Sequence, residues 1–373
     1  MGLTLKAVLG PSELPAGGLY CPESEVRRTA RTLFHPAERD KDRKELTGRH
    51  AAWNCSTFLR LGTLGSLKNS LLIYNPAAGR GSGKRQRQVH SAARELRAAG
   101  LDVELTTTFG PGTATELARQ AARAKYSLVL ACGGDGTINE VVNGLVPSET
   151  ALGVLPSGTA NILAKELALP HDPSEAARQL KLWKPRRIAL GRATWPSPNA
   201  AGETRAEQRY FVCVAGIGFD AYIIHKLTRS NALAFGAAAY GWEAIRQLFR
   251  YSFPWFVARA NGREFRSAFA AAQRSRRYAG WLRMAPRRDF FSPDMTLCLF
   301  QSSRRLRYLT YATALICGRH TRLSDVEEIE TRKVILASDD DRASIYFELD
   351  GELAGRLPVT LEVVPDSLTL LTP

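Results

Sequence analysis

Between residues 70 and 155, four short apolar runs alternate with three segments of helical period, and this alternation constrains the fold more tightly than any other feature of the chain. The run Ser70-Leu-Leu-Ile-Tyr74 stops at Asn75-Pro76, where proline cannot donate to a strand ladder, and Gly79, Gly81 and Gly83 allow a tight loop into the next segment. From Gln88 to Ala99 the residues Val89, Ala92, Ala93, Leu96 and Ala99 line one helical face, which Gly100 can end. Residues 101–107, 127–131 and 151–155 read as further strands, and 114–124 and 138–145 as further helices. Strands separated by helices of this length form a parallel sheet, and such sheets bind ligands at the carboxyl ends of their strands.

After Lys181-Leu-Trp-Lys-Pro185 the texture changes to short apolar or aromatic runs at 210–214, 255–258, 296–300 and 345–349, interrupted by one helical pattern near 232–250. The organisation this predicts is an N-terminal extension, 1–68, rich in charge, Gly, Pro and Ser and poorly ordered; a nucleotide-binding α/β domain, 69–183; and a β-rich substrate domain, 184–360. The last residues, about 361–373, are placed to pack back on the α/β domain. No internal repeat is present.

A hydrophobic fraction of 45% with 23% charged residues excludes global disorder. The excess of 51 Lys and Arg over 36 Asp and Glu, a net charge of +15, favours polyanionic partners, and charge alone does not choose among anionic lipid, nucleotide and nucleic acid. The six cysteines are scattered without a C-x-x-C pair, so neither a zinc site nor a disulfide framework is indicated, and a reducing, cytoplasmic compartment is expected. No apolar stretch approaches the roughly 20 residues of a spanning helix. The run Leu3 to Leu9 is interrupted by Lys6 and has no basic region before it, unlike a signal peptide.

The chemistry gathers in the loops. Cys132-Gly133-Gly134-Asp135-Gly136-Thr137-Ile138-Asn139-Glu140 joins an apolar strand to a helix. Its glycines let backbone N–H groups approach an anion, the helix N-terminus adds partial positive charge, and Thr137 or Asn139 can add hydrogen bonds. Asp135 is the odd member, because a carboxylate repels phosphate unless a divalent cation or a proton lies between; it reads as a Mg²⁺-linked or proton-handling residue, or as a plain helix cap. Asn75-Pro76-Ala77-Ala78-Gly79 follows the first strand, and Pro156-Ser157-Gly158-Thr159-Ala160-Asn161 follows the fourth, so all three loops leave one sheet edge. Neither a Walker A motif nor a protein-kinase H-R-D set is present.

In this order and spacing the three loops resemble the nucleotide-binding set of the diacylglycerol kinase catalytic-domain family, which includes bacterial soluble diacylglycerol kinases and is related to sphingosine kinases. The resemblance covers about residues 69–373. It implies the fold of phosphofructokinases and NAD kinases, a mainly parallel α/β domain followed by a β-sandwich-like domain. It further implies ATP contacts at Asn75, Pro76, Gly79, Gly133, Gly134, Asp135, Gly136, Thr137, Asn139, Glu140, Gly158 and Thr159, with Thr108 as a further nucleotide-contacting threonine.

Far downstream, Asp350-Gly351-Glu352 resembles the same family's D-G-E motif. A hydroxyl that attacks the γ-phosphoryl group must lose its proton, so Glu352 is the first choice as acceptor, with Asp350 orienting it or serving near the metal. Asp-Gly between apolar runs is also a hairpin-turn signal. Asp135 completes the catalytic set and is the expected Mg²⁺ ligand. Where the family carries a structural magnesium, Ala285-Pro286 matches but Phe291-Ser-Pro-Asp294-Met295 replaces the D-D-G turn, leaving Asp294 as a lone candidate ligand.

Arg274, Arg276, Arg277, Arg283, Arg287 and Arg288 surround Tyr278, Trp281 and Phe290, with Phe253 and Trp255 earlier, and this stretch is the expected docking face for an anionic membrane. No motif that reads nucleic acid accompanies the arginines, and an oligomer is compatible with the sequence. The expectation is therefore an ATP- and Mg²⁺-dependent lipid kinase, cytoplasmic and peripherally membrane-associated, that phosphorylates diacylglycerol. A sphingoid base, ceramide or other lipid alcohol is the alternative acceptor. An NAD kinase-like enzyme with a soluble acceptor and a non-catalytic, nucleotide-responsive membrane-binding protein are the alternative functions.

Overall fold

The computed structural model describes residues 69–76, 82–198, 202–229, 237–340 and 342–373. The expectations for the extension 1–68 and for Gly79 fall outside these residues.

The first part of the chain runs β1 (Ser70–Tyr74), α1 (Ser82–Ala98), β2 (Val103–Thr107), α2 (Thr113–Arg123), β3 (Leu128–Gly133), α3 (Asp135–Leu145), β4 (Ala151–Pro156), α4 (Ile162–Glu166) and α5 (Pro173–Gln179). The strands lie in the order β2-β1-β3-β4, each parallel to its neighbour. Every residue of β3 and β4 is buried, which is why both read as unbroken apolar runs. Val89, Ala92 and Leu96 of α1 and Ala118 of α2 are fully buried against this sheet. Helix α1 begins at Ser82, six residues before the sequence pattern announces it, because its first residues have no apolar side chain to mark a face.

The second part runs β5 (Lys184–Pro198), β6 (Thr204–Phe211), β7 (Val214–Gly218), α6 (Phe219–Arg229), α7 (Ala237–Leu248), β8 (Phe256–Ala260), β9 (Arg263–Ser267) and β10 (Phe269–Gln273). It continues through β11 (Arg277–Tyr278), β12 (Leu282–Arg283), β13 (Met295–Phe300), α8 (Arg307–Ile316), β14 (Val326–Thr331), β15 (Lys333–Ser338), β16 (Tyr346–Leu349), β17 (Glu352–Arg356) and β18 (Val359–Thr372). Strand β18 carries the parallel sheet into the antiparallel region: Leu370 pairs with Leu152 of β4, while residues 359–362 pair with β15. Its register against β5 shifts between Val364 and Leu368, where Pro365 has no N–H to donate and Asp366 takes φ 48°. The result is one sheet of ten strands, ordered β2-β1-β3-β4-β18-β15-β8-β9 with β5 and β6 branching from β18.

A second, six-stranded sheet, β14-β13-β10-β7-β16-β17, is antiparallel throughout. Ile217, Leu297, Leu299, Phe347 and Leu349 from it pack with Phe256, Val334, Leu336, Val359 and Leu361 of the large sheet in one fully buried core. Each such side chain contributes about 1.5–3 kcal/mol on burial, and Phe347→Ala would cost about 3–5 kcal/mol. Strand β13 shows the period-2 logic: Leu297 and Leu299 face this core, whereas Cys298 and Phe300 face an aromatic cluster with Tyr308 and Tyr311 of α8. The fold is thus the expected one, an α/β region with a parallel sheet followed by a β-sandwich. Among the described residues no helix is long and apolar enough to cross a membrane.

Candidate active site

The carboxyl ends of β1 to β4 come together through backbone bonds between their loops. Asn75 N–H donates to Cys132 O (3.2 Å), Thr108 N–H to Tyr74 O (3.0 Å) and Ser157 N–H to Gly133 O (2.9 Å). Asn75, Thr108, Gly133 and Gly158 therefore share one edge. A side chain on Gly158 would run into the Cα of Gly134, so the two loops touch backbone to backbone and only glycine fits at the contact. Asn161, at φ 47°, braces its loop by accepting from Gly158 N–H and donating to Gly158 O, both at 3.0 Å. Thr159 and Pro76 stay exposed at the rim, and the buried Thr137 accepts from Asn75 Nδ2 at 3.5 Å.

Asp135 is the first residue of α3, and its Oδ1 accepts from Ile162 N–H at 2.7 Å, capping a helix other than its own. Removal from water raises its pKa to about 6; the N–H of Ile162 opposes that rise and the charge of Asp350 adds to it. The cap read from the sequence is therefore present, but on α4.

Asp350 and Gly351 form the turn between β16 and β17 with φ 52° and 90°, as the Asp-Gly pair predicts for a hairpin. The Asp350 carboxylate is buried and reaches back across the chain. One oxygen accepts from Val212 N–H (2.7 Å) and Asn139 Nδ2 (2.8 Å), the other from Cys213 N–H (2.8 Å) and Val214 N–H (3.0 Å). This corrects one expectation. The apolar run 210–214 is not one strand, because the N–H groups of residues 212–214 turn from the ladder to this carboxylate and separate β6 from β7. Asp350 thus anchors the turn to residues 212–214, and it lines one small cavity together with Asp135. Burial raises its pKa, and the same donors pull it back.

The side chains of Asn139 and Glu140, both in the expected nucleotide set, are engaged within the fold. Asn139 is fully buried and spent on Asp350, on Tyr210 O (3.0 Å) and on Arg209, whose Nε and guanidinium nitrogen reach its Oδ1 at 3.0 and 2.7 Å. Glu140 takes Gly112 N–H (2.9 Å) and Ala114 N–H (3.0 Å), capping α2, whose own N-cap is a glycine.

Glu352 opens β17 with its side chain 39% exposed and one oxygen paired with Arg209. Its Oε1 occupies the space that a side chain on Gly136 would need. The third glycine of the loop and the acidic member of the turn are thus in contact across more than 200 residues of chain.

Asp294 does not present a metal site. Its carboxylate pairs with Arg288, and its carbonyl accepts from Arg274 (2.9 Å) and Arg288 (2.5 Å). Arg274 is fully buried, donating also to Ala189 O (2.8 Å), and its pKa falls to about 10 because burial and the neighbouring Arg288 both disfavour its charge. Two guanidinium groups close this segment, and their charge opposes a cation there. Among the described residues no group of three or more His, Cys, Asp and Glu is arranged to hold a metal ion. Burial divides the expected docking face: Arg274, Arg288, Tyr278, Phe290 and Phe253 are interior, whereas Arg276, Arg283, Arg287 and Trp281 are exposed.

Sequence reasoning missed Arg209, which joins Glu352 to Asn139, and a buried acidic pair beside the turn. Asp220 accepts from Tyr240 and Tyr278 hydroxyls, and Glu348 accepts from Gly351 N–H at 2.6 Å; oxygens of both carboxylates crowd the space that a side chain on Gly216 would need. Burial raises both pKa values, Glu348 far more than an exposed glutamate. The available signal was Gly216-Ile-Gly218-Phe-Asp220 between an apolar run and a helix. For Arg209 the sequence carries none.

Residues 69–193 match the diacylglycerol kinase catalytic domain, and residues 212–372 the YegS C-terminal NAD kinase beta sandwich-like domain. A diacylglycerol kinase of Bacillus subtilis (strain 168) is 26% identical over 297 residues, spanning 78% of this chain and 92% of that protein. A protein of Chromohalobacter salexigens named "Probable lipid kinase YegS-like" is 35% identical over 168 residues, 44% of this chain and 50% of the other. In fold, the chain is similar to a crystal structure of a diacylglycerol kinase from Bacillus anthracis str. Sterne, with a TM-score of 0.62 at 20% identity over 82% of this chain and 97% of that one.

Proposed function

The chain belongs to the diacylglycerol kinase catalytic-domain family, and from that premise we propose that it transfers the γ-phosphoryl group of ATP to a hydroxyl of a membrane lipid, diacylglycerol first among the acceptors. The observation that carries this reading is the seat of Glu352 on Gly136. It sets a half-exposed carboxylate against the loop whose backbone N–H groups suit a triphosphate, which is where an attacking hydroxyl must give up its proton. The new bond joins the lipid oxygen to the γ-phosphorus, the bond to the ADP oxygen breaks, and the hydroxyl proton passes to Glu352. Arg209 holds the other oxygen of Glu352 and fixes the direction in which it accepts.

Asp135 is the loop carboxylate suited to a Mg²⁺ ion that arrives with the triphosphate, since Mg²⁺ commonly takes one or two protein carboxylates with phosphate and water filling its shell. Bound there, the ion would neutralise phosphate charge. The N–H groups of residues 134–137 and the exposed Thr159 line the same edge and can hold the phosphates in line.

The test is transfer of labelled phosphate from ATP in mixed micelles with Mg²⁺, offered diacylglycerol, a sphingoid base, ceramide and NAD. Transfer to diacylglycerol, lost in Asp135→Asn and Glu352→Gln, is the expected result. Transfer to a sphingoid base or ceramide would reassign the acceptor, and transfer to NAD alone would sink the lipid reading.

A further inference from the structure

Helices α7 and α8 each bury one face and leave the other uncovered. Leu248, at the end of α7, and Tyr308, Tyr311 and Leu315 of α8 belong to one core cluster, and Phe253, just after α7, stacks on Tyr308 with ring centroids 4.0 Å apart. On the outside, Trp242, Ile245 and Phe249 recur at helical spacing and are 72%, 61% and 57% exposed. Leu306, Leu309 and Ile316 repeat the pattern on α8 at 69%, 49% and 58%. Large apolar side chains left in water at helical spacing mark an interaction face.

The charge around these faces selects the partner. Residues 295–324 contain five arginines and no Asp or Glu, and between residues 221 and 263 the one acidic residue, Glu243, is buried and accepts from Gln247. Arg250, Arg304, Arg305, Arg319 and Arg322 are exposed and form no ion pair among the described residues. An apolar helical face flanked by unpaired arginines, with a tryptophan in it, is complementary to an anionic bilayer: rings and aliphatic groups enter the headgroup boundary while guanidinium groups meet lipid phosphates.

We propose that α7 and α8 are a membrane-docking surface of this protein, and that it engages the anionic lipid surface there. The choice of a lipid surface as occupant rests on the lipid-kinase reading. Docking by α7 also bears on the acidic pair, since Tyr240 of α7 donates to Asp220 and thereby ties this helix to the interior beside the Asp350 turn.

The test uses the full chain without nucleotide, sedimented with vesicles of phosphatidylcholine alone or with about a third phosphatidylglycerol. Expected is binding to the anionic vesicles that weakens with salt. Each of two triple variants, Trp242→Ser/Ile245→Ser/Phe249→Ser and Leu306→Ser/Leu309→Ser/Ile316→Ser, should lose about tenfold or more in vesicle affinity. Transfer to a short-chain diacylglycerol dispersed below its micellar limit should stay within about twofold of wild type in both, which separates docking from loss of fold. Vesicle binding unchanged in both variants would overturn the proposal, as would a wild-type dimer that the substitutions dissociate, since a second copy would then be the occupant. If the wild type transfers phosphate to no lipid yet the variants lose vesicle binding, the docking surface stands and the lipid-kinase reading fails.

Discussion

The turn between β16 and β17 holds two carboxylates, two residues apart, in opposite environments. Asp350 is buried and accepts from four donors on two other segments; Glu352 is half-exposed, with one oxygen on Arg209 and the other over the glycine loop. A carboxylate whose lone pairs are filled can hold two parts of a fold together but has no capacity left to accept a substrate proton. The one with an open oxygen can accept it, and its weak attachment means that little stability depends on it.

The sharpest way to break this contrast is to substitute both residues conservatively. Glu352→Gln should lower kcat by about 10²–10⁴-fold while the urea midpoint stays close to wild type. A drop in stability of similar size would place Glu352 on the structural side. Asp350→Asn should do the reverse, costing about 3–5 kcal/mol in urea unfolding because an amide NH₂ would then face backbone donors in the interior. A stable but inactive Asp350→Asn protein would return that residue to the catalytic set.

Asp135 lies between the two cases, and pH separates its roles. Its folded pKa, about 6, stands above its ordinary value, so its contribution to stability is fully present below pH 4 and is lost as pH rises through 6. In metal-free buffer the stability of wild type relative to Asp135→Asn should therefore fall by roughly 2 kcal/mol between pH 4 and 7.5. A gap independent of pH would mean that Asp135 ionises like a surface carboxylate. The smallest effect is expected at Arg209: Arg209→Lys keeps the charge but loses the fork that joins Glu352 to Asn139, so kcat should fall about tenfold with the KM for ATP unchanged. An equal rise in KM would show that Arg209 serves the nucleotide instead.

Much of this site is legible in the order of the residues alone. The glycine loops stand out because they interrupt apolar runs at the ends of strands, and the Asp350-Gly351 turn because few residue pairs accept two positive φ angles in succession. The side-chain partnerships that are not legible share a different character. Asn139 and Glu140 sit within the most recognisable motif of the chain, yet one is consumed by Asp350, 211 residues away, and the other by the N-terminus of α2. Arg209 has no local signature because its partners belong to α3 and β17. The arginines of 274–288 look alike as composition, yet buried carbonyls and carboxylates claim Arg274 and Arg288 while Arg283 and Arg287 stay in water, as Arg304, Arg305, Arg319 and Arg322 do.

By itself, then, the sequence determined the alternation of strand and helix, the sheet edge on which the loops converge, and the family of the chain, because periodicity and turn chemistry are properties of neighbours along the backbone. Only the tertiary structure decided which carboxylates keep an open oxygen, which arginines reach the surface, and that Glu352 rests on Gly136. The reason is that a polar group's availability is whatever remains after its partners are satisfied, and here those partners lie up to 211 residues away.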